Sequence, residues 1–105
     1  MINISTGKVV RVIALAREYG PDNPHLRGYI SGLNEDEQIS LVALMWIGRE
    51  TFGPDELDEA LETAQMERTA PTEDYLGGMP ELANFLEDGM DALGINVAHE
   101  EDNLR

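Results

Sequence analysis

The stretch Asn34–Gly48, NEDEQISLVALMWIG, limits most what this chain can fold into. Asn34 followed by Glu35, Asp36 and Glu37 reads as a helix cap with three acids in the first turn. The acid at the third helical position matches a capping box, with Asn in place of Ser or Thr. The negative charges also complement the partial positive charge at a helix start. From Ile39 to Ile47 the residues are apolar on nearly every face. A buried strand could carry such a run, but the cap and the helix-formers Leu, Ala and Met favour a helix. A helix that is apolar all round belongs in the middle of a core, so the sequence predicts a central helix over 35–48.

The other segments read as its packing partners. Ser5 and Thr6 are both plausible caps for a helix over 6–19, with Val9, Val12, Ile13, Ala16 and Tyr19 at helical spacing; Gly20-Pro21 ends it. Residues 20–33 hold two prolines and three glycines and predict a loop with one helical turn near Leu26–Ile30. Such a loop either packs through Leu26, Tyr29, Ile30 and Leu33 or moves. Pro54 opens a helix over 54–68 with a stripe of Leu57, Ala60, Leu61 and Ala64. Ala70-Pro71 breaks it, and Thr72–Leu76 reads as a short capped turn ended by Gly77-Gly78. Pro80 opens the last helix, with Leu82, Phe85, Leu86, Met90 and Leu93 on one face and Gly94 closing it. The tail from Ile95 is expected to fray. The expected fold is all-α: a compact bundle of four main helices with a central apolar second helix and one or two short helical turns, as a single domain over 1–105.

Charge and missing residue types then narrow the function. The chain has no cysteine, which excludes disulfides, thiol catalysis and cysteine-held metals. Its formal charge is −14, unevenly placed. Residues 1–33 carry four bases and two acids, whereas 34–105 carry nineteen acids and three bases. An acidic surface repels phosphate backbones and anionic bilayers, so neither direct nucleic-acid binding nor membrane binding is expected. No run approaches the roughly 18 apolar residues of a spanning helix, and no signal peptide is evident, so a cytoplasmic setting is expected.

No catalytic constellation stands out. His25 and His99 have no helical H-x-x-x-H spacing, and the Glu-x-x-His and EF-hand patterns are absent, so no metal ligand is assigned. G-x-S-x-G, P-loop and dinucleotide fingerprints are absent too, so no catalytic residue and no cofactor is assigned. The candidate binding residues are Arg49, Trp46 and Tyr75. For Trp46 the simpler role is core packing with its indole N–H on a loop carbonyl; the sharper one is ligand stacking. For Arg49 the simpler role is an ion pair orienting the central helix against the third or fourth, and the sharper one is binding an anionic ligand or partner.

Leu41–Phe52, LVALMWIGRETF, after its acidic lead and Ala70–Gly94, APTEDYLGGMPELANFLEDGMDALG, resembles a family of short bacterial proteins known only as a domain of unknown function. The likeness rests on Leu41 to Arg49, Tyr75, Leu76, Pro80, Leu82, Leu86, Glu87 and Gly89, and it covers about two-thirds of the chain. It implies a compact helical fold and a bacterial cytosol, and it brings no catalytic residues.

The leading expectation is therefore a non-enzymatic interaction module with a protein partner, a homodimer included. Its basic N-terminal third would dock onto the acidic remainder, in the same chain or a neighbour's. The alternatives are an acidic decoy of a nucleic-acid-binding protein and a small enzyme built on a carboxylate pair.

Overall fold

α1 (Thr6–Tyr19) begins where the Ser5 hydroxyl accepts the Lys8 N–H at 3.2 Å, so Ser5 is the cap and Thr6 the first helical residue. The computed structural model describes residues 2–20, 22–68 and 71–95. Gly20, at φ 92°, closes α1. The stretch expected as a loop then forms a two-turn helix, α2 (Pro24–Ser31). The Asn23 side chain accepts the His25 N–H at 2.8 Å, and Pro24 sits where a missing N–H costs nothing. Leu26, Ile30 and Leu33 are buried, so this segment packs.

α3 (Glu35–Gly48) has the reciprocal cap that its sequence predicts. Asn34 Oδ1 accepts from Glu37 N–H at 2.8 Å, and Glu37 Oε1 accepts from Asn34 N–H at 3.0 Å. Every residue from Glu37 to Ile47 is buried. Two polar residues on α3 have partners that suit this burial. Ser40 Oγ accepts the Asn3 N–H at 2.8 Å, and Gln38 Nε2 donates to the carbonyls of Ile30 and Leu33.

α3 ends in a reversal that most chains would give to glycine. The Thr51 N–H reaches the Trp46 carbonyl at 2.9 Å and the Glu50 N–H reaches that of Ile47 at 3.0 Å, with Glu50 between them at φ 67°. The last helix closes by the same pair of bonds through Gly94, at φ 79°. Left-handed backbone costs a side-chain-bearing residue about 1–2 kcal/mol. Glu50→Gly regains part of that while loosening the unfolded chain, so a net stabilisation of about 0.5 kcal/mol is expected, read as a higher urea midpoint.

A short 3₁₀ turn, Pro54–Glu56, precedes α4 (Leu57–Met66), because Glu56 at φ −108°, ψ 22° leaves helical geometry. The single helix expected over 54–68 is thus shorter, and Ala60 and Ala64 supply its buried face. α5 (Thr72–Leu76) is the expected short turn, and α6 (Leu82–Ala92) starts two residues after Pro80, which lies in a tight turn. The described residues hold six α-helices, five of them long, and no strand: α2 joins the four expected as main elements. α3 lies in the middle, against α6, α4 and α5, while α1 packs on α6 and α2. The radius of gyration, 12.4 Å, matches the roughly 13 Å of a compact chain near this length. The expected frayed tail and His99 fall outside the described residues, Ile95 excepted.

The basic N-terminal third does dock onto the acidic remainder, within the same chain. Arg17 on α1 grips both carboxylate oxygens of Glu87 on α6, at 2.9 and 3.0 Å, and reaches Asn84 Oδ1 at 3.3 Å. Lys8 pairs with Glu37, and Arg27 pairs with Asp74 on α5. The Lys8 hydrogen bond, with the Asn34 N–H behind it, holds the Glu37 carboxyl below its ordinary 4.5. The Arg17 hydrogen bond does the same for Glu87. A carboxyl depressed in the folded state contributes stability above its unfolded pKa and loses it as pH falls through the folded one. The advantage of the native chain over Glu37→Gln and Glu87→Gln should thus be full near neutrality and shrink as pH falls below the ordinary 4.5, read from urea midpoints across pH. Lys8 is raised above 10.5 by the same bond, so its share disappears only in strong alkali.

Candidate functional site

Trp46 lies near the C-terminal end of α3, 8% exposed, and its indole N–H can only donate. The acceptor is Tyr75 Oη on α5, at 3.0 Å, and not a loop carbonyl as the sequence suggested. A loop carbonyl is not needed because α5 packs against α3 and brings the phenol within reach. Phe52, in the turn after α3, tilts by 37° against the indole with ring centres 5.6 Å apart.

Beside this pair is a half-open cavity of about 160 Å³. Ile39, Val42 and Trp46 of α3 and Ala64 of α4 make its apolar wall. Glu67 and Arg68, just past α4, and Thr72 and Tyr75 of α5 supply its polar groups. Thr72 is 3% exposed, and its hydroxyl makes no hydrogen bond among the described residues. Arg68 is held from behind: its guanidinium donates to Gln38 Oε1 and lies 3.4 Å from Glu35 Oε2. Gln38 in turn ties to the end of α2, so three elements fix where Arg68 stands.

Of the three residues singled out from the sequence, Trp46 and Tyr75 come together and Arg49 does not join them. Arg49 is exposed at the C-cap of α3, where its Nε donates to Thr51 Oγ1 at 3.2 Å, and it forms no ion pair with the described residues. The interhelical ion pair expected of it is absent because it sits on the reversing turn and bonds locally. The arginine at the pocket is Arg68, which sequence reasoning passed over. Its only signal was being one of three bases in an acidic stretch, just beyond a helix C-terminus where a cation is favoured.

A second, shallower cleft of about 490 Å³ lies where the turn after α3 meets α6, with Glu50, Asp88 and Asp91 on its rim. Among the described residues no three His, Cys, Asp or Glu side chains are grouped to hold a metal ion.

The family model described as "Protein of unknown function (DUF3775)" matches residues 23–95. The chain belongs to this family. The DUF3775 span takes in α2 to α6, and with them every residue of the Trp46 pocket. It also contains both stretches on which the resemblance rests, and it leaves α1 outside. No curated protein and no solved structure matches the chain.

Proposed function

We propose that this chain is a non-enzymatic protein-interaction module, a single domain that holds one anchoring side chain of a partner in the Trp46 pocket. The observation that carries the reading is the pocket itself: an apolar wall faced by the hydroxyls of Thr72 and Tyr75. Pockets of this kind, with an aromatic floor and a polar rim, suit the few buried anchors that dominate protein–protein contacts. The in-chain pairs of Lys8, Arg17 and Arg27 favour a different chain over a second copy as partner, since they already engage three of the four bases of the basic third. A cytoplasmic setting belongs to the same proposal and suits a sequence without cysteine. No described helix is long and apolar enough to cross a membrane.

Ala64→Leu fills the pocket from α4 with a good helix-former. The tagged chain and this variant, matched by circular dichroism, are passed through extract of the host. Proteins held by the native chain and released by Ala64→Leu are the expected result. Identical retention by both, or none by either, defeats the reading.

A further inference from the structure

Two hydroxyls and one pair of opposite charges set what the Trp46 pocket can accept. Tyr75 Oη receives the Trp46 indole hydrogen, so the phenol's own hydrogen is left to donate elsewhere. Thr72 lines the same space with a hydroxyl that makes no hydrogen bond among the described residues. Both donors belong to α5, one turn apart. Glu67 and Arg68 stand side by side at the lining, one an acceptor and the other a cation. The apolar part of any occupant is bounded by the cavity's 160 Å³. An engineered apolar cavity of roughly 150 Å³ takes benzene, so a ring-sized group fits.

The charge of the occupant follows from what surrounds it. A free carboxylate would meet Glu67 and a chain of charge −14. An ammonium would meet the Arg68 guanidinium, which Gln38 and Glu35 hold in place. An uncharged amide meets neither penalty. Its carbonyl can accept from the Thr72 and Tyr75 hydroxyls, and its N–H can donate to the Glu67 carboxylate.

We infer that the pocket binds a ring-sized hydrophobic side chain together with that residue's own main-chain amide, in an uncharged stretch of a partner protein. This rests on the interaction-module reading and names the chemistry of its anchor. Phenylalanine within a peptide has the required size and the required amide.

Trp46 is the chain's one tryptophan, so its emission reports this site alone. N-acetyl-phenylalanine amide, phenylacetate and phenethylamine are titrated separately into the whole chain, with excitation confined to tryptophan. The neutral amide is expected to give a saturable change with a dissociation constant on the order of 1 mM, the scale for a ligand of about fifteen heavy atoms. Both charged probes should bind at least about fivefold more weakly. Thr72→Val, which keeps the shape and removes the hydroxyl, should weaken the amide about fivefold, the effect of one net hydrogen bond, with no fall in the urea midpoint. A charged probe that binds as well as the amide, or an amide indifferent to Thr72→Val, overturns the inference. If no probe alters Trp46 emission while Ala64→Leu still releases partners, this inference fails and the module reading stands. If the amide binds as described and Ala64→Leu releases nothing, the pocket chemistry stands and the module reading fails.

Discussion

Alanine in place of Gly89 is expected to destabilise the protein by about 3 kcal/mol or more. In an ordinary helix interior the same change gains about 1 kcal/mol, so even the sign is informative. The reversal comes from how closely α3 and α6 cross. A Cβ at Gly89 would lie 2.3 Å from the carbonyl oxygen of Leu44, and one at Gly48 would lie 1.7 Å from that of Phe85. Both obstacles are main chain of the opposite helix, so no rotamer change can move them aside. Relief requires the two helices to separate, which loosens the packing of Leu41, Leu44, Leu86 and Met90, all fully buried. Gly48→Ala meets the nearer obstacle and should cost more, up to loss of folding. Urea unfolding followed by circular dichroism checks both; a gain of stability at either position would mean that the helices do not approach this closely.

Leu44→Ala carries the second large effect, a loss of about 3 kcal/mol. Leu44 has no exposed surface and occupies the middle of the central helix, where neighbours on all sides prevent collapse into the vacated space. For a chain of this length the loss corresponds to a melting temperature lower by roughly 10 °C or more. Met66, 76% exposed, is the natural control: its alanine variant should change the midpoint by less than about 0.5 kcal/mol. The obstacle facing Gly89 is the carbonyl of Leu44 and not its side chain. Shortening that side chain therefore leaves the obstacle in place, and Leu44→Ala is not expected to rescue Gly89→Ala.

The two helices with unambiguous local chemistry were legible residue by residue. Asn34–Glu37 and Ser5, with the apolar spacing behind them, define α3 and α1 within the chain's own alphabet. α2 was harder because the signals that begin it, Asn23 and Pro24, lie among prolines and glycines that usually mean loop. What stabilises it is tertiary: Leu26 and Ile30 reach the core, and Gln38 bonds the carbonyls at its end. The starts of α4 and α6 were misplaced for one reason. Proline favours a first helical turn, but Glu56 and Glu81 leave helical geometry just afterwards, which composition does not disclose.

The site was half legible. Trp46 stood out as the one tryptophan, in the most apolar helix, and Tyr75 as a position of the family resemblance, yet nothing local says that an indole N–H on one will meet a hydroxyl twenty-nine positions away. Nor does anything local separate Arg49 from Arg68. Both are rare bases in an acidic stretch, and what separates them is Gln38, which faces the end of α4 and not the turn after α3.

α1 gives the fold a boundary that kinship does not mark. The matched span opens at residue 23, yet Val9, Val12 and Ile13 are wholly excluded from water, and α1 rests on α6 and α2. A fragment trimmed to the matched span would lay bare one flank of α6 and strand Glu87 without its guanidinium. The span that marks kinship and the span over which the core closes are therefore different lengths of the same polypeptide.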